Sequence, residues 1–388
     1  MLRRTLLKRT LENHLRNTRV ITTVIAAATL AVAASAQSSA PSVRLLLPER
    51  TRLLEGQLVD LVIEVRNANA VSGLKVTADN LDLTSKFGAP AKAELDCDSS
   101  SDWVVRANLQ AFNSPGAVKL TVSLSADGSS LTDTRTIQVR EFNPPSGQRR
   151  NVVLFIGDAM GTTYRDAARL VSRSIVGADG KNSFRDGFFD DLLEMDKMPV
   201  SGMSMTYGTD SVVPDSANTG TAWATGNKSF LNAVNSLGDG TDCRWRFNGQ
   251  TNAANLAYIT DNPRVENLWQ YLKRRYGYRT GIVTTAAVTD ATPAVEGAYV
   301  GYRQARLEIA RQFVENPMLG GKPAFDVILG GGTDPFTAQG RTDKRDLISE
   351  LRAQGYRWVS NASDLRNVQW GGPLLGLFKG SANPAAAS

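Results

Sequence analysis

Hydrophobic residues alternate with polar ones in several short runs between residues 41 and 142. In residues 59–65, aliphatic side chains alternate with Asp60, Val62 and Glu64, which is the spacing of a half-buried strand. Turn sequences such as Ala126-Asp127-Gly128 separate this run from the others. The other runs are 74–78, 103–107, 118–124 and 135–139.

About seven strands are therefore expected in residues 41–142, a number typical of an immunoglobulin-like β-sandwich. The region contains no visible group of catalytic residues, so the pattern favours a spacer or an adhesive module. Residues 143–150 are polar and contain two adjacent prolines, as expected of a linker.

The pattern changes after residue 150. Apolar runs bounded by glycine, such as 280–285 and 325–330, now alternate with helical patterns such as 267–275. This alternation predicts an α/β domain over residues 151–388, with a mostly parallel sheet flanked by helices.

The first candidate for chemistry follows the apolar run 151–156, which predicts a buried strand ending at Gly157 and Asp158. Ligands bind at the carboxyl ends of strands in open α/β sheets. Asp158 is therefore placed to hold a hard cation. It would equally suit the N-cap of the following helix, and both interpretations stay open.

The second candidate is Ser216, which is surrounded by small residues and begins a predicted helix. A helix N-terminus offers N–H groups and positive potential to a phosphate. Serine there can act as a nucleophile when a metal lowers the pKa of its hydroxyl. Taken alone, Asp215-Ser216 is also a common helix cap.

The third candidate is the carboxylate and hydroxyl pair Asp290 and Thr292, which follows another glycine-initiated strand. Both supply oxygen ligands that suit Mg²⁺ or its waters. Arg303 lies eleven residues beyond Thr292, and its planar guanidinium suits bidentate phosphate binding. The alternative is that Arg303 lies on a solvated helix face.

The composition of residues 1–36, the leader, indicates a segment with a separate role. Residues 1–36 contain six Lys or Arg residues and one acid, so most of the formal charge of +6 lies there, and nucleic-acid binding is not expected. A basic segment, an apolar run at 20–34 and the small residues 34–36 predict a signal peptide cleaved before Gln37. The run is too short and alanine-rich for stable membrane insertion. We expect export to the periplasm or the extracellular space.

Two side-chain counts limit the chemistry. The two cysteines, Cys97 and Cys243, are far apart in sequence, and their spacing is compatible with either a disulfide or two free thiols. The only histidine is His14, inside the leader. Residues 37–388 therefore supply neither a histidine base nor a histidine-rich zinc site.

Several of these segments, in this order, resemble the alkaline phosphatase family. They are 156–161 (Ile-Gly-Asp-Ala-Met-Gly), 215–217 (Asp-Ser-Ala), 221–226, 289–294, 329–332 and 374–378. The resemblance covers residues 151 to about 380 and implies hydrolysis of phosphate monoesters with Mg²⁺ and Zn²⁺. Full-length members are often homodimers, so it also implies a homodimer for a complete domain.

The resemblance also implies a role for each candidate residue. Ser216 would be the nucleophile that forms a phosphoserine intermediate, and it would also be a ligand of one zinc. Asp158 would bridge a zinc and the magnesium. Thr292 would ligate the magnesium, while Asp290 would hold its waters. Arg303 would clamp the phosphate.

The family places its remaining metal ligands, several of them histidines, after the segment that matches 374–378. This sequence ends at Ser388 and has no histidine beyond His14, so we expect a C-terminally truncated domain with an incomplete zinc shell. A truncated product of a full enzyme is the preferred interpretation. The alternatives are a degenerate, catalytically impaired member that keeps phosphate or Mg²⁺ binding, a magnesium-only enzyme, and a secreted protein that binds through its immunoglobulin-like domain.

Overall fold

A computed structural model describes residues 40–93, 102–144, 151–173, 192–238 and 262–378. The predictions made for the signal peptide (1–36), for Cys97 and Cys243 and for the tail beyond residue 378 lie outside the described residues. The same is true of most of the predicted linker, residues 145–150.

The first part of the chain forms two packed β-sheets. Their strands are Ser42–Leu45 (β1), Arg52–Leu54 (β2), Leu58–Arg66 (β3), Val71–Ala78 (β4), Leu81–Asp82 (β5), Ala91–Ala93 (β6), Asp102–Ala111 (β7), Gly116–Ala126 (β8) and Ser129–Arg140 (β9). The sheets have the strand orders β1-β3-β7-β6 and β2-β9-β8-β4-β5 and enclose one apolar core. The two-residue turn Asp127-Gly128 has positive φ at both positions, which matches the twist of the β8–β9 hairpin. The immunoglobulin-like assignment of these sheets stays a prediction.

Strand β3 differs from its prediction. The alternation in residues 59–65 predicts a half-buried strand, but all seven of these residues are buried. Asp60 tolerates burial because Arg106 and Arg264 both pair with its carboxylate, at 2.8 and 2.6 Å. Arg264 belongs to the second part of the chain, so this face of the strand is covered by a segment more than 200 residues away.

The second part of the chain contains four strands and seven α-helices within its described residues. Its strands are Gly281–Ala287 (β10), Val327–Gly331 (β11), Arg357–Val359 (β12) and Leu374–Leu377 (β13). Its helices are Thr162–Arg173 (α1), Ser216–Thr225 (α2), Leu268–Tyr276 (α3), Ala291–Ala294 (α4), Arg306–Val314 (α5), Leu347–Ala353 (α6) and Ala362–Asn367 (α7).

The four strands form one sheet in the order β10-β11-β13-β12, and each of its described pairings is parallel. Apolar residues of the strands and helices form a second core that includes Phe313, Phe325 and Phe336. The α/β class is therefore confirmed. The sheet of residues 151–388 is parallel in each described pairing, as predicted for that domain, whereas the two sheets of the first part pair mainly antiparallel, so the sheets of the chain taken together are not mostly parallel.

The predicted buried strand at 151–156 is also wrong. The segment has no strand assignment, and Val152 and Phe155 are 85% and 86% exposed. An apolar run becomes a buried strand only when a neighbouring strand pairs with its backbone. Within the described residues, β10 pairs with β11 alone, so residues 151–156 are not a strand of this sheet.

No helix within the described ranges is long and apolar enough to cross a membrane.

Candidate active site

Asp158 lies in a tight turn between the extended segment 151–156 and α1. The Met160 amide donates to the Gly157 carbonyl at 3.2 Å, and Ala159 has a φ of +52°. The turn leaves the Asp158 carboxylate exposed. Its oxygens are therefore open to groups brought in by other segments.

Ser216 is the first residue of α2. Asp215 caps this helix: its carboxylate accepts from the Asn218 amide at 3.1 Å, and the Asn218 side chain accepts in return from the Asp215 amide at 3.0 Å. This reciprocal pair holds the first turn in place. The Ser216 hydroxyl is thereby fixed at the positive end of a ten-residue helix.

Small residues let α2 lie close to the segment that follows β10. A side chain on Gly220 would approach the Val295 methyl group to 2.8 Å, so glycine is needed there. Ala217 and Ala224 are fully buried in the same core. This close packing brings the N-terminus of α2 next to α4, where Thr292 lies.

Three of the predicted site residues meet at the Asp158 carboxylate. The Ser216 hydroxyl lies 3.1 and 3.3 Å from its two oxygens. The Thr292 hydroxyl donates to Asp158 Oδ2 at 2.6 Å. Residues that are 58 and 134 positions from Asp158 in sequence thus form one cluster of oxygen atoms.

Arg303 lies between two carboxylates. Its Nη1 donates to Asp215 Oδ2 at 3.0 Å, and its Nη2 donates to Asp290 Oδ1 at 2.8 Å. The Arg303 amide also donates to the Asn232 carbonyl at 2.8 Å. The arginine is therefore held beside the helix cap of the candidate nucleophile, and it is not on a solvated helix face.

The ionisation of this cluster follows from its pairing. Burial alone would raise the pKa of Asp290, but the hydrogen bonds from Arg303 and the Ala291 amide and the charge of Arg303 together lower it. Burial would lower the pKa of Arg303, but the hydrogen bonds to Asp290 and Asp215 raise it above its ordinary value. The arginine stays a cation, as a group that binds phosphate must.

A family model described as alkaline phosphatase matches residues 149–386, which is more than half of the chain. The chain belongs to the alkaline phosphatase family. The match contains Asp158, Ser216, Thr292 and Arg303, and it begins where the two-sheet region has ended.

Curated relatives agree with this assignment. Streptomycin-6-phosphate phosphatase of Streptomyces griseus is 35% identical over 59% of this chain and 47% of its own length. The repressible alkaline phosphatase of Saccharomyces cerevisiae is 32% identical over 60% of this chain and 38% of its own length. Alkaline phosphatase 4 of Bacillus subtilis is 32% identical over 59% and 42%, respectively. The chain thus matches less than half the length of each of these three relatives.

The oxygen donors at Asp158 fit one of the two metals expected in an alkaline phosphatase. A carboxylate and a neighbouring hydroxyl are hard ligands of the kind Mg²⁺ accepts together with waters. Zinc sites favour histidine and cysteine with about three protein ligands for each metal. The described residues contain no group of three or more His, Cys, Asp or Glu side chains that would hold a metal. The Asp158 and Thr292 oxygens are donors that suit magnesium, but the described residues contain no complete ligand set for either metal.

Two residues of this candidate site have contacts that the sequence did not predict. Asp215 was expected only as a helix cap and motif residue, yet its second oxygen holds Arg303. The Asn232 amide donates to Asp215 Oδ1 at 3.2 Å, so Asn232 joins the cap to the arginine. No local signal predicts an ion pair across 88 residues.

Replacing Asp215 should separate its two roles. Asp215→Asn keeps a capping oxygen but removes the charge that faces Arg303, and we expect a loss of about 1–2 kcal/mol in unfolding free energy. Asp215→Ala also removes the cap and should cost about 1 kcal/mol more. Urea unfolding measures both losses.

Asn361→Ala provides the matched control for Asp215, because Asn361 caps α7 by accepting from the Asp364 amide. It should lose only the capping contribution, about 1 kcal/mol. Equal losses in Asp215→Asn and Asp215→Ala would contradict the separation of the two roles.

Proposed function

We propose that this chain hydrolyses phosphate monoesters through a phosphoserine intermediate at Ser216. The observation that carries the proposal is the convergence of Ser216 and Thr292 on the Asp158 carboxylate, at distances of 2.6–3.3 Å. A helix N-terminus and a fixed arginine lie beside this cluster. An anionic phosphate would therefore meet a nucleophile and compensating positive charge at one place.

In the first step the Ser216 oxygen forms a bond to phosphorus, and the bond from phosphorus to the ester oxygen breaks. The serine proton is lost to solvent, and the leaving alcohol takes up a proton. In the second step a water oxygen attacks the phosphoserine, which releases inorganic phosphate and restores the hydroxyl. Ser216 thus divides one difficult displacement into two.

Arg303 would bind the non-bridging oxygens of the phosphoryl group. Two of its terminal N–H groups already donate to Asp215 and Asp290, which orients the guanidinium plane before substrate arrives. Guanidinium has five donors, so binding phosphate does not require both carboxylates to be released. Arg303 would neutralise charge that grows on the phosphoryl oxygens.

Asp158 and Thr292 would hold a magnesium ion, and Asp290 would orient its waters. A bound magnesium would supply positive charge next to the Ser216 hydroxyl and favour its deprotonation. No step is assigned to zinc, because the described residues do not form its ligand shell. We also propose export, an immunoglobulin-like class for the first domain and, if the catalytic domain is complete, a homodimer.

A comparison of substrates tests the proposed function. The purified full chain is assayed on a chromogenic phosphate monoester and on the matching diester. Both assays are run with and without Mg²⁺, and with and without Zn²⁺. We expect turnover of the monoester that depends on Mg²⁺ and exceeds turnover of the diester.

A degenerate site would give a different result in the same experiment. It would bind inorganic phosphate, as measured by calorimetry, but would not turn over either ester. Faster hydrolysis of the diester, or the absence of monoester turnover, would refute the proposed function, and phosphate binding without turnover would identify the degenerate site.

A further inference from the structure

Strand β3 is hydrogen-bonded to a segment outside the sandwich, which is the pair of packed sheets formed by β1 to β9. β1 pairs with β3 only over residues 63–66. At the other end of β3, Val59 forms an antiparallel bridge with Val265. The Asp60 amide donates to the Arg264 carbonyl at 2.9 Å, and the Glu266 amide donates to the Leu58 carbonyl at 2.8 Å. Segment 264–266 is thus an added edge of the sandwich sheet.

The pairing then passes to the segment that follows α2. Ser236 forms a bridge with Arg264, and the Val265 amide donates to the Asn235 carbonyl at 3.1 Å. Leu237 and Val265 are both buried in the core of the sandwich. Residues 235–237 are therefore attached to the sandwich by backbone hydrogen bonds and by apolar packing.

The same segment ends at the candidate active site. Val234 exchanges two backbone hydrogen bonds with Val300, at 2.8 and 2.9 Å. Asn232 accepts from the Arg303 amide and donates its own amide to the Asp215 carboxylate. A continuous series of hydrogen-bonded segments thus runs from β3 to the arginine that would bind phosphate.

Asn235 is the point where this series meets the helix of the nucleophile. Its side chain is fully buried, and its Nδ2 donates to the carbonyls of Val295 and Ala298 at 2.5 and 2.8 Å. Its amide donates to the hydroxyl of Thr221, within α2, at 2.8 Å. A φ of +48° places Asn235 in the left-handed region, which asparagine tolerates better than most residues.

A second contact ties the sandwich to the other end of α2. The Asn227 side chain, just beyond the helix, accepts from the Arg52 amide and donates to the Arg52 carbonyl, both at 2.7 Å. Arg52 belongs to β2, in the second sheet of the sandwich. The helix that begins with Ser216 is therefore held by both sheets.

We propose that the β-sandwich positions the phosphate-binding site, and that Asn235 is the residue through which it holds α2 and the Arg303 segment. The inference rests on the proposed function for its catalytic meaning. Asn235 is a positioning residue, because it touches the elements that carry Ser216 and Arg303 and does not touch the phosphate. The sandwich then helps to position the residues of the proposed phosphatase site.

Hydrogen exchange of the full chain tests the inference without requiring activity. Asn235→Gly keeps the left-handed backbone available and removes the side-chain bonds to Val295 and Ala298. We expect about tenfold faster exchange in peptides covering 232–237 and 300–303. The affinity for inorganic phosphate should fall about tenfold, because Arg303 is displaced.

Asn67→Gly is the matched control. Asn67 has a φ of +57° and lies exposed in the sandwich, so the substitution is chemically the same. It should leave both peptides and the phosphate affinity unchanged. A general loss of stability would lower the unfolding midpoint but would not change phosphate affinity measured in the folded chain.

Asp60→Asn tests the same inference with a substitution inside the sandwich. It removes the charge that holds Arg264 while keeping the size of the side chain. We expect faster exchange in the peptide covering 232–237. The inference is overturned if Asn235→Gly and Asp60→Asn both leave exchange at 232–237 and 300–303 at the parent level. If the parent chain does not bind phosphate, the proposed function is refuted instead. The hydrogen exchange of the two variants would still decide the role of the sandwich.

Discussion

Ser216→Ala is expected to reduce turnover of a phosphate monoester by on the order of a thousandfold or more, to the level of the assay background. The substitution removes the only side-chain atom that can form the phosphoserine. It leaves the capping residues Asp215 and Asn218 in place, and alanine favours the helix. We therefore expect an unchanged fold and an unchanged affinity for phosphate within a factor of about three.

Initial rates and peptide mass spectrometry measure this effect. The parent chain, quenched in acid during turnover, should carry a phosphate on the peptide that contains Ser216, and the variant should not. Ser360→Ala is the control, because Ser360 is an exposed serine beyond β12, the strand at the opposite edge of the sheet from β10. Turnover by Ser216→Ala at the parent rate would exclude the phosphoserine route.

Glu296→Gln is expected to stabilise the fold at high pH. Glu296 is a buried carboxyl whose Oε1 accepts from the Trp223 indole at 2.9 Å. Its Oε2 has no hydrogen-bond partner within the described residues. Burial raises the pKa of Glu296 to about 8, against a weaker lowering by the Trp223 hydrogen bond. Folding therefore favours the neutral acid.

The pH dependence follows from the direction of that shift. The folded chain binds the Glu296 proton more tightly than the unfolded chain, in which the pKa is near 4.5. The stability associated with the neutral acid is complete below pH 4.5 and is lost as the pH rises to about 8. Glutamine has no such loss, so its advantage should grow over this window to on the order of 5 kcal/mol.

Urea unfolding at several pH values measures the difference between the two chains. The unfolding free energies should be similar at pH 4, where both side chains are neutral, and should diverge up to pH 9. Glu49→Gln is the control, since Glu49 is exposed in the sandwich and its replacement should change stability little at any pH. A constant difference between Glu296→Gln and the parent would show that the buried acid does not titrate in this range.

Local patterns were sufficient where an element depends on its own residues. The helix predicted at 267–275 is α3, which begins after the Asn267 cap and ends before Gly277 in the left-handed conformation. The runs 280–285 and 325–330 correspond to β10 and β11 within two residues. Periodicity and capping act over a few residues, so the sequence contains the information for these elements.

Local patterns did not predict the contacts between residues that are far apart in the sequence. Residues 151–156 have the composition of a buried strand but have no neighbouring strand among the described residues. Asp60 has the character of a surface residue but is buried, because two arginines from different segments pair with it. Composition describes a side chain and does not identify its partner.

The candidate site shows the same division. The sequence alone determined the residue types, namely Asp158, Ser216, Thr292 and Arg303, and their order along the chain indicated the family. Only the tertiary structure decided that three of them meet within hydrogen-bond distance and that Arg303 is held by Asp215 and Asp290. It also joined the sandwich to this site. The physical reason is that most of these contacts join segments 58 or more residues apart, whose approach depends on packing of the whole fold.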